Sequence, residues 1–147
     1  MFHLTLLSVG KLKNSAIAEL THDYQKRIKR HGKFEALSIS DGSVQSEGQR
    51  LNQLLDKRRS AQRFILAEEG LTLSSGQLAQ KLDHLRGQPV VFVIGGAYGL
   101  DPSIKAQADL LLSLSPMTFT HELAQLLLCE QVYRAISILK GGKYHHE

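Results

Sequence analysis

Four segments of this chain carry groups suited to chemistry. Ile94-Gly95-Gly96-Ala97-Tyr98-Gly99-Leu100-Asp101-Pro102 sets three glycines where a ligand can approach the main chain, or where the chain turns a tight corner. Leu114-Ser115-Pro116-Met117-Thr118-Phe119 and Leu66-Ala67-Glu68-Glu69-Gly70 each follow an apolar run, as loops at strand ends do. The terminal run Gly141-Gly142-Lys143-Tyr144-His145-His146-Glu147 gathers a phenol, two imidazoles and a carboxylate, all acid–base groups. Its glycines let it fray as a tail or fold back over a site, and the residue types leave both readings open.

Familiar site motifs are absent. No G-x-G-x-x-G follows the first apolar run, where Val9-Gly10-Lys11 has one glycine, and neither a phosphate loop nor a G-x-S-x-G elbow occurs. His121, His145 and His146 lack a helical metal-ligand spacing, so no metal is expected. Cys129, the single cysteine, stands among leucines and reads as a small buried hydrophobe, which suits a reducing cytosol.

The elements that must position these groups alternate. Phe2–Ser8, Phe34–Ile39, Phe64–Ala67, Val90–Ile94 and Leu110–Leu114 read as strands. Between them the pattern predicts helices from Asn14 or Ser15 to about His31, from a Ser46/Gln49 capping box, from Ser74 or Ser75 to Gly87, and over about Asp101–Asp109. A last helix spans about His121–Lys140. Val90-Val91-Phe92-Val93-Ile94 is a continuous apolar run, as expected of a parallel strand buried on both faces. The alternation predicts an α/β three-layer domain over residues 1–147 with a mostly parallel sheet, whose ligands bind beyond the carboxyl ends of the strands. The last helix is apolar nearly all round, and a sheet covers one face of it, so a second subunit is expected on another: a homodimer.

Composition excludes other classes. With 147 residues, 42% hydrophobic, the chain can bury a sizeable core. No apolar run approaches the roughly 20 residues of a membrane span, and Met1-Phe2-His3-Leu4-Thr5-Leu6 has no basic leader pattern, so no membrane partner is expected and the cytoplasm is the expected location. The net charge of +4 is uneven: residues 1–63 hold twelve Lys/Arg against six acids, residues 64–147 six against eight. The excess lies in Lys26-Arg27-x-Lys29-Arg30-His31-x-Lys33 and in Lys57-Arg58-Arg59. Such clusters suit a polyanion, or complement the carboxyl ends of two helices.

Taken together, Val93–Leu100, Leu112–Leu123, Glu130-Gln131-Val132-Tyr133-Arg134-Ala135 and Tyr144-His145-His146-Glu147, with the opening Leu7-Ser8-Val9-Gly10-Lys11-Leu12-Lys13, resemble the large-subunit ribosomal RNA pseudouridine-N3 methyltransferases of the SPOUT class. The likeness runs the length of the chain. It implies S-adenosyl-L-methionine as cofactor, a C-terminal trefoil knot, a homodimer, and as substrate a pseudouridine in helix 69 of 23S rRNA in the assembled 70S ribosome. The matching cofactor positions are Leu66, Gly95, Leu114, Ser115, Pro116, Met117, Thr118 and Phe119. Tyr144, His145 and Arg134 take the catalytic positions, with His145 for proton handling, Tyr144 for the base, and Arg134 for phosphate or developing negative charge (or an intersubunit salt bridge). The chain departs from the family pattern at Pro116, Thr120, Gln125, Lys143 and His146.

Overall fold

The computed structural model describes residues 1–146. Strand and helix alternate from end to end: β1 (Phe2–Val9), α1 (Ser15–Lys29), β2 (Gly32–Ile39), α2 (Val44–Asp56), β3 (Gln62–Thr72), α3 (Ser75–His84), β4 (Val90–Ile94), α4 (Pro102–Lys105), β5 (Leu110–Ser113) and α5 (His121–Leu139). The five strands form one sheet in the order β2-β1-β4-β3-β5, every pairing parallel.

Side-chain alternation divides the core. Phe2, Leu4 and Leu6 of β1, with Val90, Phe92 and Ile94 of β4, face α1, α3 and α5, where Phe64 meets Phe92 edge to face at 5.4 Å. Leu7, Val9, Val91 and Val93 face the other way, onto Leu51 and Leu55 of α2 and Ile104 of α4. β4 is buried at all five positions, because both of its faces are covered. Among the described residues no helix is long and apolar enough to cross a membrane.

Local chemistry sets the helix starts. Asn14 caps α1, its Oδ1 accepting from the Ala16 and Ile17 amides at 3.0 and 3.1 Å. Ser74 and Gln77 form a reciprocal capping box at α3. α2 begins earlier than its Ser46/Gln49 pattern indicates: Ser43 is the cap, accepting from the Ser46 amide at 3.0 Å, while the Ser46 hydroxyl donates to the Ser43 carbonyl at 3.1 Å. β3 runs past Ala67 to Thr72, its ladder with β5 interrupted between Leu66 and Leu71. Gly70 allows this, since a Cβ there would lie 2.6 Å from the Leu111 carbonyl oxygen.

α5 is covered within its own chain by more than the sheet that its apolar pattern is expected to meet. Gln125, Leu128, Cys129, Val132, Ala135 and Ile136 are buried, while α1 flanks it through Tyr24–Tyr133 and α3 through a Ser75–Gln131 hydrogen bond of 2.6 Å. Burial pushes the Cys129 thiol up to about 12, which leaves it inert at neutral pH. At 100° per residue the outward stripe runs through Leu123, Leu127, Glu130 and Arg134, and Leu123 is 39% exposed.

Candidate active site

The carboxyl ends of β3, β4 and β5 open into a cleft of about 430 Å³. Three segments line it: Leu66–Glu69, Ile94–Leu100, and part of the run from Leu114 to Phe119. Of the sequence-derived cofactor positions, Leu66, Gly95, Leu114, Ser115, Met117 and Phe119 line the cleft. Pro116 and Thr118 are exposed members of the same segment and are not part of the wall.

Short-range bonds shape these segments. The Ser113 hydroxyl donates to the Ser115 carbonyl at 2.9 Å, and the Ser115 hydroxyl accepts from the Met117 amide at 3.0 Å, which curls the chain over the cleft. The Gly99 amide returns to the Gly96 carbonyl at 3.1 Å, with Gly99 at φ +81°. At Gly95 a Cβ would lie 2.8 Å from Leu100 Cγ, so a side chain there displaces the wall. Asp101 and Pro102 then start α4.

Three contributors escape sequence reasoning. Lys105 lines the cleft and its ammonium meets Glu69 Oε1 at 2.7 Å; that hydrogen bond holds the Glu69 carboxyl below its usual range. The pair lies 36 positions apart, and no local signal announces it. His121 and Ala124, from the first turns of α5, complete the wall.

The C-terminal run is docked rather than frayed. The Tyr144 phenol lies 2.9 Å from that of Tyr24 and donates to Glu130 Oε1 at 3.1 Å. The same carboxylate oxygen accepts from Arg134 Nε at 2.9 Å and from its terminal nitrogen at 2.6 Å. Arg134 therefore pairs within its own helix. Its guanidinium stands 4.9 Å from the Tyr144 ring centre, and its other terminal nitrogen lies 3.1 Å from His145 Nδ1. A guanidinium only donates, so Nδ1 accepts and the ring proton sits on Nε2. Burial, then the Tyr24 bond and the Glu130 charge, push the Tyr144 phenol upward, and it stays protonated at neutral pH. The Glu130 hydrogen bond likewise raises Arg134. Glu147, the last residue of this motif, lies outside the described residues.

Tyr144, His145 and Arg134 are thus brought together, but not with the cleft. The cleft meets α5 at His121 and Ala124, and Arg134 lies ten residues beyond Ala124, roughly 15 Å along the axis at 1.5 Å per residue. The basic clusters share the far end. Lys29 and Arg30 lead into Gly32, which pairs with Phe2 at the start of β1, and Lys57–Arg59 lead into β3 at Gln62. Burial lowers His31, and the neighbouring charges of Lys140 and Arg30 add to the effect. Arg27 is paired with Asp23 at 3.1 Å and Arg58 with Glu35 at 2.6 Å, whereas Lys57 and Arg59 are exposed.

Known proteins share this architecture. Residues 2–145 match the family model described as "Predicted SPOUT methyltransferase". The chain is 43% identical over 143 residues to the ribosomal RNA large subunit methyltransferase H of Synechococcus sp. (strain RCC307), covering 97% of this chain and 93% of that one. It is 40% identical over 156 residues to the protein of the same name from Ureaplasma parvum serovar 3 (strain ATCC 27815), covering 97% and 98%. The SpoU methyltransferase AviRb of Streptomyces viridochromogenes, crystallised with its cofactor AdoMet, superposes with a TM-score of 0.53 at 11% identity, covering 96% of this chain and 62% of that one, a likeness of fold. Sequence over nearly its whole length, with a parallel sheet of the same kind, makes the chain a member of the SPOUT methyltransferases, among the ribosomal RNA large subunit methyltransferase H proteins.

Proposed function

We propose that the chain transfers a methyl group from S-adenosyl-L-methionine to N3 of a pseudouridine in helix 69 of 23S rRNA, acting as a homodimer on the assembled 70S ribosome. The observation that carries the reading is the convergence of three strand-end segments on one cleft, where parallel α/β sheets take their ligands. The cleft fits the cofactor in kind. It joins apolar surface from Leu66, Met117 and Phe119 to main-chain polar groups of Gly95 and the Leu114–Phe119 segment, and the absence of a side chain at Gly95 lets Leu100 pack closely behind that wall. Pro116 and Thr118 belong to the same segment and are exposed on it. When bound, the cofactor supplies an electrophilic methyl group on a sulfonium.

The chain's own residues must orient the pyrimidine and deal with the N3 proton. His145 Nδ1 takes that proton only by releasing the Arg134 contact, so proton uptake and the turn of the guanidinium toward the anion form one event. Tyr144, protonated, donates to the base or stacks on it. These groups lie far from the cleft of their own chain, and the outward stripe of α5 carries Leu123 and Leu127. Pairing two chains along that stripe supplies one cleft with its partner's acid–base cluster. Exposed cations at the helix ends, Lys57 and Arg59 among them, then serve the RNA backbone.

The test is transfer of labelled methyl from S-adenosyl-L-methionine to 70S ribosomes, to free subunits and to naked rRNA, followed by mapping of the modified nucleotide. Label at N3 of a helix 69 pseudouridine, and strongest on 70S ribosomes, is the expected result. Label on tRNA alone supports another SPOUT activity, and calorimetry without cofactor binding supports a non-catalytic RNA-binding protein.

A further inference from the structure

A second, more enclosed cavity of about 280 Å³ opens at the carboxyl ends of β1 and β2. It adjoins the cofactor-type cleft, because Gly96, Ala97, Tyr98 and His121 belong to both walls. We propose that this cavity receives the target pyrimidine nucleotide, unstacked from the RNA, with Glu47 accepting a ring N–H and Lys11 and Lys13 holding the flanking phosphates. The proposal rests on the methyltransferase reading above and deepens it by assigning the subsite for the base.

Glu47 is the decisive group. It is 6% exposed, and its Oε2 accepts from the Gly42 amide at 2.9 Å. A Cβ on Gly96 would lie 3.5 Å from that oxygen, so the carboxylate stands against the loop dividing the two cavities. A buried acceptor there suits a ring that presents N–H donors along its edge. Pseudouridine has two ring N–H groups, so one can be held by a carboxylate while the other faces the methyl donor.

The other walls fit the same occupant. Tyr98 is 87% exposed at the shared rim and offers a face for stacking. His121 Nε2 is buried without a hydrogen-bond partner, packed over Gly10, whose φ is +85° and whose Cβ would come within 3.1 Å of it. That packing fixes the imidazole at the junction, where it forms part of both walls. Lys11 and Lys13 are exposed at the mouth, and no carboxylate among the described residues lies within ion-pair distance of either. A base taken out of its stack needs such an enclosed, edge-reading pocket, with charge at the entrance for its backbone.

The experiment compares the wild-type chain with Ser38→Trp, which fills the cavity from an exposed lining position, with Glu47→Gln, and with Lys11→Ala/Lys13→Ala. Each is assayed for methyl transfer to 70S ribosomes and for calorimetric binding of S-adenosyl-L-methionine. The proposal expects kcat/KM for ribosomes to fall roughly 10-fold or more in Ser38→Trp and Glu47→Gln, a higher ribosome KM in the lysine pair, and unchanged cofactor affinity throughout. Glu47→Gln keeps an acceptor for the Gly42 amide, so it decides alone if circular dichroism finds Ser38→Trp unfolded. An active wild type with unimpaired folded variants overturns the subsite and leaves the function standing. A folded wild type that binds no cofactor and methylates no ribosome overturns the function and the subsite with it.

Discussion

The phenol of Tyr144 lies 2.9 Å from the phenol of Tyr24, 120 positions earlier in the chain. This contact fastens the C-terminal run to α1, with the Tyr133 ring packed against both tyrosines and the Arg27 guanidinium 5.2 Å from the Tyr24 ring. Tyr24→Phe removes one hydroxyl and keeps the ring packing. The expected loss of stability is about 0.5–1.5 kcal/mol, the net contribution of one hydrogen bond. A several-fold drop in kcat with an unchanged cofactor KM is the accompanying kinetic sign, because the altered contact holds the tail and not the cleft. A kcat equal to wild type would show that tail docking is irrelevant to turnover.

His145 makes a sharper test of the acid–base cluster. Its Nδ1 faces Arg134, so His145→Ala removes both the proton acceptor and that orienting contact. General acid–base groups contribute typically 10²–10⁴-fold, and a loss in this range is expected in single-turnover methylation of ribosomes at saturating cofactor. Cofactor binding by calorimetry should not change. Methylation at the wild-type rate removes His145 from the chemistry.

Much of this architecture is legible in the sequence, for reasons that show where legibility ends. The continuous apolar run Val90–Ile94 marks a doubly covered strand, and β4 has those bounds. Ser74 and Gln77 announce their own capping box. Where two serines compete, as Ser43 and Ser46 do, spacing cannot say which is in the extended conformation that a cap requires. The continuation of β3 through Gly70 depends on the Leu111 carbonyl, which belongs to another strand. The strand-end segments are visible as glycine-rich or Pro-containing stretches, yet the Lys105–Glu69 pair across the cleft is a product of tertiary structure. The docking of Tyr144 is equally invisible: glycines at 141 and 142 permit it, and only the Tyr24 and Glu130 partners decide it.

The Lys57-Arg58-Arg59 cluster divides into two roles, and pH separates them. Arg58 donates to Glu35 Oε1 at 2.6 Å and to the Leu54 carbonyl at 2.9 Å. The Arg58 hydrogen bond holds the Glu35 carboxyl below its ordinary 4.5. A depressed carboxylate stabilises the fold fully above its unfolded value, and that contribution is lost as pH falls through the lower folded value. Glu35 is half exposed, so solvent screening limits the pair to about 0.2–1 kcal/mol. The melting-temperature gap between wild type and Arg58→Ala should therefore be widest near neutrality and narrow below pH 4.5. A smaller gap persists from the Leu54 bond, which does not titrate. A gap that stays constant from neutral to strongly acidic pH contradicts the assignment.

Lys57 and Arg59 have no such duty and are exposed. Replacing both with Ala should leave stability unaltered and weaken ribosome binding. If each meets one phosphate, the slope of log K against log salt flattens by roughly 0.7–0.9 for every phosphate no longer neutralised. Filter binding at several salt concentrations reads this directly. Parallel salt curves for the double variant and wild type would assign these cations to solvent alone.

Two glycines of the Gly95–Gly99 turn allow the cleft itself to be tested, because they are glycine for different reasons. At Gly95 a Cβ would press on Leu100 Cγ at 2.8 Å and on the Gly99 carbonyl carbon at 3.0 Å. At Gly99 a Cβ meets nothing within 4 Å, but φ is +81°. Gly99→Ala therefore costs backbone strain of about 1–2 kcal/mol without pressing on any atom of the wall. Gly95→Ala suffers from overpacking, typically about 1–3 kcal/mol, and the displaced atoms are those of the wall itself. Both variants should melt earlier than wild type by comparable amounts. Calorimetry with S-adenosyl-L-methionine should separate them: affinity falls roughly 10-fold in Gly95→Ala if about 1.4 kcal/mol of the distortion reaches the bound state, and much less in Gly99→Ala. Equal cofactor affinities in two equally destabilised variants would mean that the cofactor does not lie against Gly95.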